Sequence, residues 1–292
     1  IILKIINNIY LENHSDNLCL SGGCIFNSVL NGKIYEQFNF KNIFFHANVG
    51  DAGGAIGSAL NQNQKINKNF KNIKQENYFL GPNYSDKEVG EIIEKNKNNL
   101  KNFEINFHEN LEDIYEIVSE TLNNQGIVAW YQDSSEWGPR ALGNRSLIVD
   151  PRIKNLKEIL NEKIKLREPF RPFAASIMEE FTHKYFDIKN KTDKFPNMNV
   201  VLKAKEITKL NYPAIVHVDG SSRIQTLNIV NNKKFYELIS HFNKKFSCPM
   251  LLNTSLNIDE PICENPQDVI SSFAQTKVDC IIMQNYSLIK KV

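Results

Sequence analysis

Cysteine is scarce in this sequence. The five cysteines, Cys19, Cys24, Cys248, Cys263 and Cys280, are odd in number and include no C-x-x-C pair, which argues against a disulfide framework and a cysteine-rich structural zinc site. Reduced thiols of this kind fit a cytoplasmic protein. Long apolar runs are also missing: none reaches the roughly 18 residues that a membrane-spanning helix needs. The opening IILKIINNIY has neither a basic start nor a small-residue cleavage site, so it does not read as a signal peptide. Nor does one charge dominate. Lysine plus arginine number 35 against 33 for aspartate plus glutamate, a net charge of +2, so no overall field draws the chain to nucleic acid or a membrane surface. The six histidines (His14, His46, His108, His183, His217 and His241) contain no pair four residues apart. What remains is a globular composition, 41% hydrophobic over 292 residues, enough for a sizeable core and about two domains.

Strand and helix signals alternate along the chain. Ile1, Ile2, Ile5, Ile6, Ile9 and Tyr10 recur at helical spacing and predict an amphipathic helix. Residues 17–20 read as a short buried strand, Gly22-Gly23 as a tight turn, and residues 27–32 as part of the next helix. A second apolar strand, residues 43–47, runs into VGDAGGAIGSAL, where small residues allow close packing. Residues 66–76, rich in asparagine and lysine, are the expected linker between a unit at 1–65 and one at 77–292. Beyond it, Ser85 with Glu88 three residues on predicts a helix cap, and GIVAWYQ, PAIVHVD, PMLLNTS and DCIIMQN read as strands. Interleaved strands and helices favour an α/β or α+β fold.

Three segments carry chemistry. In NEKIKLREPFRPFAAS, Pro169 and Pro172 disfavour a helix. An extended chain would put Lys165, Arg167 and Arg171 on one cationic face, with Ile164 and Phe170 packing on the core. In MLLNTSLN the same parity aligns Asn253, Ser255 and Asn257, neutral groups that orient a ligand, although short polar residues after a strand are also common turn formers. HVDGSSRIQT has a turn at Asp219-Gly220 with Arg223 just beyond; His217 beside it reads as a structural hydrogen bonder. With Arg140 and Arg145 of SEWGPRALGNRSLIVDPR, the second half supplies many arginines in short turns beside apolar strands. Guanidinium groups bind phosphate or carboxylate through paired hydrogen bonds, so a phosphorylated or adenylated small molecule is the expected ligand. Nucleic acid is the less favoured one, because no base-stacking aromatics are interleaved with the arginines. Arg152 reads as surface.

The ordered series LSGGCIFNSVLNGKI, VGDAGGAIGSAL, SEWGPRALGNRSLIVDPR, KLREPFRPFAAS, PAIVHVDGSSRIQT and LLNTSLNIDEPIC resembles the carbamoyltransferases of the nodulation-factor, cephem and aminoglycoside type over nearly the whole chain. The resemblance implies a threonylcarbamoyl-adenylate-synthase-like (YrdC-like) domain preceded by the tail of an actin-like ATPase domain. It implies that the synthase-like domain makes carbamoyl adenylate from carbamoyl phosphate and ATP with Mg²⁺, and that the actin-like domain passes the carbamoyl group to an acceptor hydroxyl. Carried over position by position, it makes Lys165, Arg167, Ser255 and Asn257 catalytic. Arg140, Arg145, Arg171 and Arg223 would bind carbamoyl phosphate and adenylate, Gly22, Gly23 and Asn27 would contact the adenylate, and Asp51 would be a metal ligand.

The departures from the pattern carry their own expectations. The family's H-x-x-x-H pair, which with the aspartate holds a divalent metal such as iron(II), has no counterpart here. The sequence also lacks an initiating methionine, so the chain is expected to start midway through the actin-like domain, as a fragment, a remnant or one subunit of a split enzyme whose other half is a separate chain. Ala175 stands where the family has proline and Leu256 where it has phenylalanine, and NIDEPIC is one residue short beside Asn257. A nucleic-acid-binding relative of the tRNA-modifying proteins is the remaining alternative, and the near-zero net charge counts against it.

Overall fold

The computed structural model describes residues 1–13, 15–67 and 78–291. Its first part holds α1 (Ile2–Glu12), β1 (Asn17–Leu20), α2 (Ser28–Gln37), β2 (Asn42–Phe45) and α3 (Gly53–Ile66). The apolar stripe predicted for α1 packs on α2 in a small cluster centred on Ile6, Ile34 and Phe38. Strands β1 and β2 pair in parallel as a two-stranded sheet. Only alternate residues of β1 are sheltered, so the buried strand expected at 17–20 is corrected to a half-covered one: two strands offer one packed face and leave the other open. The expected linker at 66–76 lies outside the described residues except for Ile66, which ends α3, and Asn67, its cap.

The remainder is a nine-stranded mixed sheet with helices on it, as the α/β reading anticipates. Its elements are α4 (Asp86–Lys95), β3 (Phe103–Phe107), α5 (Leu111–Asn123), β4 (Val128–Tyr131), β5 (Arg145–Val149), α6 (Leu156–Lys163) and β6 (Ala174–Met178). Then follow α7 (Thr182–Tyr185), β7 (Val200–Lys203), α8 (Glu206–Asn211), β8 (Ser221–Leu227), α9 (Lys233–Phe246), β9 (Met250–Ser255), α10 (Pro266–Phe273), β10 (Cys280–Met283) and β11 (Tyr286–Lys290). The strand order is β3-β11-β10-β4-β5-β9-β6-β8-β7. The centre of the sheet is buried on both faces: every residue of β4, β5, β6 and β10 is buried, β4 and β10 are continuous apolar runs, and β5 and β6 also bury Arg145, Ser146 and Ser176. The Ser85–Glu88 capping box forms as expected and opens α4.

Two expected strands are corrected. PAIVHVD holds a 3-10 turn at Pro213–Ile215, because Pro213 fits the first position of a turn and brings no N–H to a sheet ladder; the strand begins at Ser221, past the Gly220 turn. The segment from Lys165 to Arg171 is not extended either. Helix α6 reaches Lys163, and Leu166 then adopts a left-handed conformation (φ 46°) that turns the chain. Ile164 is buried as anticipated, but Phe170 is 78% exposed and does not pack on the core.

The two parts are in direct contact. Helix α2 lies on β7 so closely that a Cβ at Gly32 would sit 2.1 Å from the Val201 carbonyl oxygen. Asn31 Nδ2 donates to the Asn199 carbonyl (2.8 Å), and Asn199 Nδ2 donates to that of His46 (2.9 Å). This contact sets one wall of the site.

Candidate functional site

Three arginines converge where the contact between the parts meets the sheet. Arg223 comes from β8, Arg140 from the loop between β4 and β5, and Arg167 from the turn after α6; with Pro172, Met198, Asn253, Thr254 and Ser255 they line a cleft of about 90 Å³. No carboxylate is among its described lining residues. The Arg223 side chain makes no hydrogen bond among the described residues, and its Nε is buried without a partner. Burial, and then the neighbouring charges of Arg140 and Arg167, push the Arg223 guanidinium down to about 9. Burial also lowers Arg140, whose Nη2 donates to the Phe26 carbonyl at 3.3 Å. Arg167 is held by Phe173, 4.9 Å beneath its guanidinium carbon, and by Asn161 Oδ1, to which its Nε donates at 2.7 Å. Like charges gathered without a counter-charge are costly, and guanidinium does not readily give up its proton. The cleft is therefore built for an anion.

Lys165 sits beside this cleft, 2% exposed. Its ammonium donates to the carbonyl of Ser255, to Asn257 Oδ1 and the Asn257 carbonyl (both 2.7 Å), with Ser255 Oγ at 3.3 Å. The two pairs aligned from sequence, Lys165/Arg167 and Ser255/Asn257, are thus brought together, though by a left-handed turn rather than by strand parity. Burial first and Arg167 second push Lys165 down to about 7 from its ordinary 10.5. Between those values the unfolded chain binds the proton that the folded chain has lost, so this lysine's contribution to stability rises with pH in that window. It falls away as the pH drops toward 7. Urea midpoints at pH 7, 8 and 9 are expected to climb less steeply for Lys165→Met than for the unaltered protein, the difference being up to about 1.4 kcal/mol per pH unit. Equal slopes would refute the shift.

Other residues singled out from sequence lie elsewhere. Arg145 is not in the cleft: fully buried in β5, it stacks 3.6 Å over the Tyr131 ring, and its Nη atoms donate to the carbonyls of Gln132, Asn144, Pro82 and Asp133. Its Nη donors are taken up by the backbone while its Nε is buried without a partner, and the wall that was to unite it with Arg140 is corrected to Arg140 alone. Arg171 is exposed, 3.8 Å from Glu168. Gly22, with φ 104°, opens the 3-10 turn Gly23–Phe26, and Asn27 caps α2 by accepting from the Leu30 N–H at 3.0 Å. That turn meets the cleft's Arg140 through the Phe26 carbonyl. Arg152, read as surface, instead clamps Asp150 and lies over Phe242. His217 meets the Phe173 carbonyl and Ser221 Oγ, the structural role expected of it.

Glu136 was passed over in the sequence. One carboxylate oxygen accepts from the N–H groups of Leu142 (2.7 Å), Asn144 (2.8 Å) and Arg145 (3.1 Å), tying down the loop that carries Arg140. A single acid among the arginines of SEWGPRALGNR was the available signal. Beneath the cleft, Ser176 Oγ donates to Gln225 Oε1 (2.6 Å), Asn253 Nδ2 to Ser176 Oγ (3.0 Å) and Gln225 Nε2 to the Leu142 carbonyl (2.7 Å). Asn253 thus serves this buried network, while Ser255 and Asn257 serve Lys165.

Asp51, expected as one ligand of a partial metal site whose histidine pair is absent from this sequence, is exposed in the turn before α3, and among the described residues no group of three or more His, Cys, Asp or Glu side chains could hold a metal ion. No described helix is long and apolar enough to cross a membrane.

Residues 119–290 match the family model described as Carbamoyltransferase C-terminus, and residues 1–60 the one described as Carbamoyltransferase N-terminus. Nodulation protein NolNO of Sinorhizobium fredii is 34% identical over 96% of this chain and 41% of its own length. Nodulation protein NolO of Bradyrhizobium diazoefficiens is 34% identical over 94% of this chain and 49% of its own. Among solved structures, full-length HypF in a phosphate- and nucleotide-bound form is similar with a TM-score of 0.45 and 16% identity, over 65% of this chain and 23% of that one. The chain spans about half the length of the curated relatives it matches.

Proposed function

The chain belongs to the carbamoyltransferase family, and from that premise we propose that its arginine cleft makes carbamoyl adenylate from ATP and carbamoyl phosphate. The carbamoyl group then passes to a hydroxyl of a sugar, glycan or secondary metabolite. The observation that carries this reading is the convergence of Arg140, Arg167 and Arg223 on a cleft with no carboxylate among its described lining residues.

Attack of a carbamoyl oxygen on the α-phosphorus of ATP forms the new P–O bond and breaks the bond to pyrophosphate, while the phosphate of carbamoyl phosphate leaves in exchange for a water oxygen. Negative charge builds on the phosphoryl oxygens in such a step, so fixed cations and alignment provide most of the acceleration. Arg223 and Arg140 would hold phosphoryl oxygens, and Arg167 would complete the clamp. Lys165 can turn from the oxygens of Ser255 and Asn257 toward the incoming phosphate, leaving Ser255 Oγ and the Asn257 amide to orient the carbamoyl group. Mg²⁺ would arrive on the ATP phosphates as part of the substrate. Transfer to the acceptor is assigned to the preceding domain of the family, and its histidine pair would have to come from chain beyond these 292 residues or from a separate subunit.

ATP–pyrophosphate exchange tests the first step. Labelled pyrophosphate is expected to enter ATP only when carbamoyl phosphate is present. A folded protein that shows no such exchange, and no binding of ATP, would overturn the reading.

A further inference from the structure

Of the buried side-chain atoms left without a hydrogen-bond partner among the described residues, two belong to residues that line the arginine cleft, Arg223 Nε and Asn253 Oδ1. The first is a donor and the second an acceptor. Phosphoryl oxygens answer the arginine, but they have no hydrogen to give to the amide oxygen. A ligand that satisfies the cleft in full therefore carries an N–H or O–H donor as well as an anion.

Which atom of the Asn253 amide is left over is fixed by the network beneath the cleft. Its Nδ2 has three acceptors around it, Ser176 Oγ at 3.0 Å and, at 3.3 Å each, the Ala141 carbonyl and Gln225 Oε1. Gln225 is itself held, since its Nε2 donates to the Leu142 carbonyl at 2.7 Å, and Ser176 spends its hydroxyl hydrogen on Gln225 Oε1 at 2.6 Å. Turning the Asn253 amide over would set its oxygen against these oxygens with no hydrogen left between them. Oδ1 thus remains an acceptor in want of a donor, on a side chain that is fully buried. Asn257 offers no substitute, because its Oδ1 already accepts from Lys165 and from Ser255 Oγ, both at 2.7 Å.

The sheet sets the spacing. Ala174 of β6 is the register partner of Asn253 on β9 and of Arg223 on β8. The two side chains therefore rise from one face of the sheet, two strand spacings or about 10 Å apart at Cα. From there they can meet one small molecule from opposite sides, and a cleft of about 90 Å³ suits a molecule of few heavy atoms. We infer that Asn253 selects the carbamoyl group: its Oδ1 accepts from the amino group of carbamoyl phosphate while the phosphoryl oxygens lie on Arg223. This rests on the carbamoyl phosphate reading above and adds to it the residue that tells a carbamoyl from other acyl groups. An acyl phosphate with a methyl in place of the amino group has the same charge and nearly the same shape. It turns a C–H group toward Oδ1 and leaves that oxygen unpaired and shut off from water.

Phosphonoacetamide and acetonylphosphonate mimic the two cases, since they differ only by an amino group in one where the other has a methyl. Calorimetric titration of the full chain with each, and with inorganic phosphate, tests the assignment. Phosphonoacetamide is expected to bind about tenfold to a hundredfold more tightly than acetonylphosphonate. Asn253→Leu should bring the two to equal affinity while leaving inorganic phosphate, which also reports that the variant is folded, unchanged. Asn253→Asp keeps an acceptor in the same place, so it should weaken all three anions and yet retain the preference. Arg223→Ala should weaken all three together. Damage to the network alone would lower both analogues in step and leave their ratio where it was. Equal binding of the two analogues to the unaltered protein, as expected if a water satisfies Oδ1, would overturn the role of Asn253 and leave the anion cleft standing, and this comparison holds even where a variant does not fold. A preference that survives Asn253→Leu would overturn it too. Failure of both analogues and of phosphate to bind would overturn the cleft reading and this inference with it.

Discussion

Arg223→Ala is expected to lower carbamoyl-phosphate-dependent ATP–pyrophosphate exchange by about a hundredfold to a thousandfold, the usual cost of removing one preorganised charge from a phosphoryl- or acyl-transfer site, while leaving the protein at least as stable. The two halves of this expectation have separate origins. Activity falls because Arg223 is the member of the arginine trio that makes no side-chain hydrogen bond among the described residues, its Nε buried without a partner, which leaves its donors for a ligand. Stability holds because the same arginine is held against burial and against the charges of Arg140 and Arg167, so its removal relieves repulsion. Arg145→Ala is the counter-case. It strips donors from four carbonyls and a partner from the Tyr131 ring, and is expected to unfold more easily. Exchange rates and thermal midpoints of the two variants separate the roles. An Arg223→Ala protein with full exchange activity, or one destabilised as much as Arg145→Ala, would remove Arg223 from the site.

Much of the frame was legible in residue order, because its strands are apolar runs long enough to stand out: Val128–Tyr131, Met250–Ser255 and Cys280–Met283 all form where expected. The cap at Ser85 is a purely local signal and was equally readable. PAIVHVD failed for a local reason as well, since an apolar string beginning with proline can close a turn as readily as extend. The site was legible in type but not in assembly. Lys165 and Arg167 were paired with Ser255 and Asn257, yet strand parity is not what joins them; the turn at Leu166 is, and a left-handed leucine leaves no mark in sequence. Arg140 and Arg145 looked equivalent, five residues apart in one motif. Whether an arginine lines the cleft or is spent on four carbonyls depends on strand register, here on Arg145 opening β5 beside Tyr131. Glu136 escaped notice because its partners are backbone N–H groups, and any residue can supply those.

Gly143→Ala is expected to destabilise the protein by about 3–5 kcal/mol, combining steric overlap with a backbone conformation that an L-residue resists. Gly143 has φ +108°, and a Cβ there would lie 2.2 Å from Cδ1 of Phe235 and 2.7 Å from its Cγ. The surroundings give little room to move. Phe235 is fully buried in the first turn of α9, where its N–H donates to the Asn232 cap. The glycine itself is pinned, its carbonyl accepting from Trp130 Nε1 at 2.9 Å and its N–H donating to Ser146 Oγ at 3.1 Å. The N–H groups of Leu142 and Asn144 on either side are fixed by Glu136. Relief must therefore come from the turn as a whole, which carries Arg140 toward the cleft three residues earlier, so pyrophosphate exchange should fall along with the urea midpoint. A double-variant cycle resolves the two causes. Phe235→Ala is destabilising by itself because it empties a packed site, but adding it to Gly143→Ala removes the overlap and should cost less than in the unaltered protein, leaving the strain at φ as the residue of the effect. A Gly143→Ala protein within about 0.5 kcal/mol of the original, the range of an inconsequential surface change, would mean that the turn can re-form without glycine and that Arg140 is aimed by something other than this contact.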